Sequence, residues 1–372
     1  MGKAHVAVES PEPQARVRLG AIRRNLEALR RYLHPSVRII GVVKADAYGH
    51  GAVAVSRLLE SAGVEHLAVV TLQEAIALRE GGIRAAILVL GVPGREELPL
   101  YERYRLELAI TAPEVAHWVV EDAHRIRVHV EVDTGMARLG LDPDSVPTWW
   151  ERLRQHPTVE LAGLYTHLAS ASEPENRQTR EQIRRFRALL GRLDTEGVLI
   201  HVASSAGIMH YPEAHFDAVR PGIALYGYAP SPTLQVVSGL EPALCWMARV
   251  VSVRFLPRGA SVSYGATWRA PRPTRIATVN VGYADGVDRR LSNRGFVEIR
   301  GQRYPIVGSV NMDFIMVEVG LHSPVRFGDP VVLFGTPSWH AWHWAEQLDT
   351  IPYEILVRIG TRVRRIYEGD RI

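Results

Sequence analysis

Of the 44 Lys and Arg residues in this 372-residue chain only two are lysine, Lys3 and Lys44. Lys3 lies in a short N-terminal stretch without periodic pattern, which leaves Lys44 as the lysine of the folded body. A primary amine that gives up its proton and condenses with a carbonyl is a service arginine cannot supply. Lys44 stands at the end of the apolar run VRIIGVV, in VVKADAYGHG, with Asp46, Tyr48 and His50 just beyond it. An amine in that position loses hydration, and its pKa falls toward the neutral, nucleophilic form. The competing reading is an ordinary surface lysine, so the elements around Lys44 have to decide.

A second group with chemical potential lies in HVASSAG and VRPGIALYG. Ser204, Ser205, Gly222 and Ile223 offer hydroxyls and closely approachable backbone N–H groups, a set suited to a phosphate dianion. Taken singly, SSAG and PG are also common turns. Lysine and cradle together on one rim favour a phosphorylated carbonyl cofactor.

The elements that must position these residues follow from the hydrophobic pattern. Between about residues 38 and 225 come VRIIGVV, EHLAVV, AAILVL, LELAIT, RVHVEVD, ELAGLYTHL, GVLIHVA and DAVRPGIALYG. Between them lie stretches such as GAVAVSRLLESAG and NRQTREQIRRFRALLGRLDTEG, whose apolar residues recur at three and four. Alternation of short, near-continuous apolar strands with helices predicts an α/β fold, an N-terminal (β/α)8 TIM-type barrel over residues 16–238. A doubly wound open sheet is the alternative. Such a barrel carries its chemistry at the C-terminal strand ends, with phosphate commonly at the seventh and eighth. Lys44 and the serine–glycine cradle fall at those ends.

From residue 239 to 372 the texture changes to alternating strands with Gly and Pro turns: ARVVSVRFL, RIATVNVGY, FVEIRGQRYPIVG, FIMVEV and VVLFG. This predicts a C-terminal mostly β domain, ending in a short helix at HAWHWAEQL and the segment YEILVRIGTRVRRIY. Residues 1–15 are expected to add an edge strand to it.

Composition narrows the function classes. No apolar run is long enough to cross a bilayer, and MGKAHVAVES lacks a signal-peptide core, so a cytoplasmic location is the expectation. The net charge of +4 includes no block of like charge that would argue for nucleic acid. One cysteine, Cys245, excludes an internal disulfide and a cysteine metal cluster, and its apolar neighbours suggest a buried small hydrophobe.

The strings VVKADAYGHG, DTGMARLG, THLASA, RPGIALYG, SYGATW, VGYADGVDR, VNMD and PYEIL occur in the order and roughly the spacing of the alanine racemases. The chain is similar to that family over nearly its whole length. The resemblance implies a barrel with a C-terminal β domain, working as a head-to-tail homodimer on pyridoxal 5'-phosphate, with no metal, nucleic acid or membrane. It implies interconversion of L- and D-alanine, supplying D-alanine for cell-wall peptidoglycan. Lys44 matches the lysine that holds the cofactor as a Schiff base and serves as base toward the D-substrate. Tyr264, in SVSYGATW, matches the base toward the L-substrate and would come from the second subunit. Two bases are needed because a single one tends to return the proton to the face it left.

By the same matching, His167 and Arg220 resemble the pair that assists the tyrosine, and Arg220 also faces the cofactor's ring nitrogen. Tyr48, Ser205, Gly222, Ile223 and Tyr353 resemble the phosphate contacts. Arg138 resembles the residue that holds the cofactor's phenolic oxygen and the substrate carboxylate, with the Met312 amide and Tyr283 beside that carboxylate. His201 is left between packing and support of the site. A rim salt bridge is the alternative role for Arg220.

The sequence also departs from the family. Where several relatives carry a carbamylated lysine seven residues before the arginine of DTGMARLG, this chain has Glu131, predicting a Glu131–Arg138 pair. In the substrate corridor Ser172 and Ser309 replace an aspartate and an arginine often found in relatives, while Arg289 is kept. These changes keep a serine or broad-specificity racemase open as an alternative. An amino-acid decarboxylase of similar architecture would place acidic groups where Arg220 stands. A non-catalytic cofactor carrier would lack the β domain that bears Tyr264.

Overall fold

The computed structural model describes residues 12–231 and 239–369. They form two compact units, one from residues 12–18 and 242–369, the other from residues 19–231 and 239–241.

The second unit is a closed barrel of eight parallel strands in sequence order. After β1 (Gln14–Arg18), which belongs to the other unit, these are β2 (Arg38–Val42), β3 (His66–Val69), β4 (Ala86–Val89), β5 (Glu107–Ile110), β6 (Ile126–Glu131), β7 (Val159–Tyr165), β8 (Leu199–Ser204) and β9 (Ala218–Arg220). β9 closes on β2, with Arg38 opposite Ala218 and Ile39 opposite Val219. Each of the eight apolar runs singled out for the barrel overlaps one of these strands, and the sheet closes, so the barrel stands and the open sheet does not. The strands read as continuous apolar runs because both faces are covered, with Leu67, Ala68, Val69, Ile87, Leu88, Leu108, Ala109 and Ile110 all buried.

Helices form where the period changes. In Leu19–Tyr32 the buried positions Leu19, Ile22, Leu26 and Leu29 lie three and four apart. Arg30 and Arg31 in its last turn suit the negative end of the helix dipole. Helix Leu72–Glu80 begins with a capping box in which Thr71 accepts from the Glu74 amide. Gly63 and Gly82, just past two helix ends, take φ of 79° and 85°, the left-handed backbone that favours glycine.

The first unit is a β structure. Its longest strand, β10 (Leu244–Leu256), pairs with β1, with Thr274–Val279 and with Pro330–Phe334. β1 lies between β10 and Arg364–Glu368, so it is an interior strand rather than the expected edge. Most of the expected segment, residues 1–11, lies outside the described residues. Trp246, Phe334 and Trp344 meet edge to face at 5.4–5.9 Å, forming an aromatic nucleus. Cys245, on the opposite side of β10 from buried Leu244 and Trp246, is half-buried, and burial pushes its thiol up to about 11.

Candidate active site

Beyond β2 the chain turns at Lys44. Ala45, Asp46, Ala47 and Tyr48 have φ between 51° and 53°, one turn of left-handed helix without a glycine. Each such residue costs about 1–2 kcal/mol, so tertiary contacts must hold the turn. Glu74 Oε1 accepts from the Ala45 amide at 2.6 Å, and Asp46 Oδ1 accepts from the Ala52 amide at 2.7 Å. The turn buries Tyr48, whose ring lies 4.9 Å from Tyr226, and the Tyr226 hydroxyl donates to the Val42 carbonyl at 2.9 Å. Backbone strain is thus concentrated on the residues that follow Lys44.

The Tyr48 hydroxyl reaches the cradle predicted from the glycine–serine motifs. A Cβ on Gly222 would lie 2.4 Å from that hydroxyl, so only glycine admits it. Ser205 Oγ accepts from the Gly222 amide at 3.0 Å and from the Ala224 amide at 3.3 Å. Ile223 is buried between those two amides. Tyr48, Ser205, Gly222 and Ile223 therefore converge at the C-terminal ends of β8 and β9. Ser204, expected beside them, ends β8 and precedes the helix Ser205–His210.

Positive charge gathers on the same rim. Burial holds the Lys44 ammonium below its ordinary pKa, Arg138 and Arg220 lower it further, and Glu74 opposes them. Arg220 is buried at the end of β9, where desolvation brings it down to about 10, still protonated at neutral pH. Its guanidinium donates to the carbonyls of Thr166 at 2.9 Å, His201 at 2.9 Å and Val202 at 3.0 Å. It also reaches Nδ1 of His167 at 3.1 Å and Nδ1 of His201 at 2.6 Å. No salt bridge joins Arg220 to a carboxylate among the described residues, so the rim-salt-bridge role fails. Burial, with Arg220, Arg138 and Lys44 nearby, lowers His167 to about 3. His167 is therefore neutral, and because an arginine only donates, its proton sits on Nε2.

Glu131 corrects one expectation. Its Oε2 accepts from the Tyr165 hydroxyl at 2.9 Å, and no hydrogen bond or ion pair joins it to Arg138 among the described residues. The reason is register: Glu131 on β6 stands opposite Tyr165 on β7, while Arg138 lies exposed in the loop beyond. Burial raises the Glu131 carboxyl above its usual range, against the Tyr165 hydrogen bond and the charges of Arg220 and Arg138.

In the other unit, hydrogen bonds tie three loops together. Ser263 Oγ donates to Asn311 Oδ1 at 2.8 Å, the Tyr283 amide to the Asn311 carbonyl at 2.9 Å, and Ser309 Oγ to the Tyr264 carbonyl at 3.0 Å. The side chains of Tyr264, Tyr283 and Met312, 75%, 43% and 53% exposed, are presented on these loops. Ser309 is thus buried support for the Tyr264 loop, whereas Ser172 and Arg289 are exposed, each in its own unit. Tyr353 is half-buried on helix Pro352–Val357, and desolvation raises its phenol.

Several residues here escaped the sequence reading. Glu74 pins the strained turn, Tyr165 takes Glu131, and Glu107 with His129 lies behind His201 inside the barrel. A charged residue within the apolar run LELAIT was the available signal for Glu107, since a buried carboxylate demands partners. Among the described residues no group of three or more His, Cys, Asp or Glu is placed to hold a metal ion, and no helix is long and apolar enough to cross a membrane.

Comparison with known proteins agrees with this geometry. Residues 17–230 match the family described as alanine racemase, N-terminal domain, and residues 243–367 match alanine racemase, C-terminal domain. The chain is 45% identical to the alanine racemase of Symbiobacterium thermophilum, covering 96% of this chain and 97% of that protein. It is 41% identical to that of Carboxydothermus hydrogenoformans, covering 95% and 98%. Among solved structures, the alanine racemase of Clostridium difficile 630 superposes with a TM-score of 0.92 at 34% identity, covering 97% and 96%. That of Bacillus anthracis with bound L-Ala-P superposes with a TM-score of 0.90 at 34% identity, covering 98% and 97%.

Proposed function

The chain belongs to the alanine racemase family, and from that premise we propose that it interconverts L- and D-alanine with pyridoxal 5'-phosphate, the cofactor of this family. The single observation that carries the reading is the rim itself: one lysine with a lowered pKa, beside a cradle of Tyr48, Ser205 and Gly222 that a Cβ would fill.

The residues present fit the cofactor. Tyr48, Ser205 and the amides of Gly222 and Ile223 would hold its phosphate. Arg138 would face its phenolic oxygen and the substrate carboxylate, and Arg220 would face its ring nitrogen, as the family resemblance implies. Bound there, the cofactor supplies a carbonyl carbon that condenses with primary amines and a ring that draws electrons from the α-carbon. An arginine opposite the ring nitrogen, in place of a carboxylate, would keep that nitrogen unprotonated and the electron demand moderate.

Lys44 Nζ, whose pKa desolvation lowers, moves a proton at one face of the α-carbon. Tyr264 of a second copy of the chain moves it at the other. A phenol ionises near pH 10 when unperturbed, so it needs help near neutrality. The Nε2–H of His167 offers it: held away from Arg220 by the tautomer derived above, that N–H is free to donate to a phenolate. The Met312 amide and Tyr283 of the second copy line the substrate carboxylate.

This reading requires a homodimer with active sites shared between subunits. The 75% exposure of Tyr264 within its own chain supports it. The enzyme acts in the cytoplasm and supplies D-alanine for cell-wall peptidoglycan.

The test is kinetic. Steady-state racemisation of a panel of L-amino acids in deuterium oxide gives alanine the highest kcat/KM, with solvent deuterium at the α-carbon of the D-product. Serine or lysine turning over faster than alanine contradicts the substrate assignment, and D-product without solvent deuterium contradicts proton abstraction.

A further inference from the structure

A buried polar file runs through the barrel from its floor to its mouth. Arg220 Nη1 meets His201 Nδ1 at 2.6 Å, His201 Nε2 meets His129 Nδ1 at 2.9 Å, and His129 Nε2 meets Glu107 Oε2 at 3.0 Å. Arg127 closes the file on Glu107 Oε1 at 3.0 Å. Glu107, His129, His201 and Arg220 are at most 5% exposed. Glu107 opens β5, whereas Arg220 ends β9, so the file spans the height of the barrel.

The file crosses from β6 to β8 over the strand between them, which takes a specific residue. On β7 a Cβ at Gly163 would lie 2.0 Å from His129 Nδ1, so a side chain there would occupy the place of the imidazole. The Tyr165 ring, stacked on His201 at 4.8 Å and 11°, fixes the plane of the second imidazole.

Donor and acceptor chemistry allows one proton arrangement. Arg220 only donates, so His201 Nδ1 accepts and a neutral His201 carries its proton on Nε2. His129 Nδ1 must then accept, which puts the His129 proton on Nε2, aimed at a carboxylate that accepts it. Burial and Arg220 keep His201 neutral, while against desolvation the hydrogen bond from His129 and the charge of Arg127 lower the Glu107 carboxyl. The direction of the whole file is thus set at its two charged ends.

We propose that Glu107 and His129 are positioning residues: they fix the tautomer of His201, and through it the seat of the Arg220 guanidinium. Without an acceptor at Glu107 the His129 proton has no partner on Nε2 and moves to Nδ1. His201 Nε2 must then accept, its proton moves to Nδ1, and that N–H confronts the Arg220 donor. Arg220 is displaced from the point where, on the function proposed above, it meets the cofactor ring.

The test reads the imidazole protons directly. Long-range proton–nitrogen correlation spectra of the full-length protein labelled at histidine nitrogen, assigned with His129→Gln and His201→Gln, are recorded from pH 6 to 9. The expected result is a proton on Nε2 and none on Nδ1 for both rings. Glu107→Leu reverses both tautomers and lowers kcat by about tenfold or more. Glu107→Gln, which keeps an acceptor oxygen of the same reach, restores both tautomers and most of the lost kcat. A proton on Nδ1 of either ring in the wild-type protein overturns the proposal, whether or not the leucine variant folds. A folded Glu107→Leu protein with unchanged tautomers or wild-type kcat overturns it too. Should no amino acid be racemised, the tautomers still decide the file, and the functional reading alone fails.

Discussion

Arg220 donates to Nδ1 of His167 at 3.1 Å, and this leaves the imidazole one proton, on the nitrogen that points away from the guanidinium. One buried cation thereby decides which nitrogen of a neighbouring side chain can give a hydrogen bond, and to what.

Burial of that imidazole, with Arg220 beside it, has a cost that pH exposes. His167 is neutral in the fold, with a pKa of about 3 against 6.5 in the unfolded chain. Between those values the unfolded state binds a proton that the native state refuses, so stability falls as pH drops below about 6.5. Near pH 5 the loss is about 2 kcal/mol from this group, and His201, shifted the same way, adds to it. Urea unfolding should show a lower midpoint at pH 5 than at pH 7.5, and His167→Gln should flatten the dependence. Equal midpoints at the two pH values would refute neutral burial.

At Gly222 the expectation is steric. A Cβ would sit 2.4 Å from the Tyr48 hydroxyl, so Gly222→Ala must push Tyr48 out of the cradle or shift the β9 turn. Overpacking of this kind costs about 1–3 kcal/mol. Cofactor affinity, measured by fluorescence titration of pyridoxal phosphate into stripped protein, is expected to weaken by about tenfold or more. Undiminished affinity would mean that the phosphate lies elsewhere.

Asp46 ties down the left-handed turn after Lys44 through its bond from the Ala52 amide at 2.7 Å. Asp46→Ala should destabilise the protein by about 1–2 kcal/mol, and it should raise KM more than a remote surface substitution of equal stability cost. If stability changes while kcat and KM do not, the turn does not position the lysine.

Much of this was legible in the sequence, for identifiable reasons. The barrel showed because parallel strands covered on both faces become continuous apolar runs, and Lys44 showed because arginine had replaced nearly every other lysine. The turn ADAY was not legible: it carries no glycine or asparagine to announce positive φ, and Glu74, 29 positions on from Ala45, holds it. The partners of His201 were hidden for a related reason. VHVEVD and LELAIT display a histidine and a glutamate, but their meeting depends on β6 reaching β8 across Gly163, a matter of barrel closure. The expected Glu131–Arg138 pair failed because strand register gave Glu131 a nearer partner, Tyr165.

The most direct measurement of the account mixes two inactive proteins. Lys44→Ala and Tyr264→Phe each remove one of the two bases, and each alone should racemise alanine at least about a hundredfold more slowly than wild type. Unfolded together and refolded at equal concentrations, half of the dimers are mixed, and each mixed dimer holds one site with both native residues. Activity should therefore recover to about a quarter of wild type. Recovery no greater than the sum of the two separate activities would contradict an active site built from two chains.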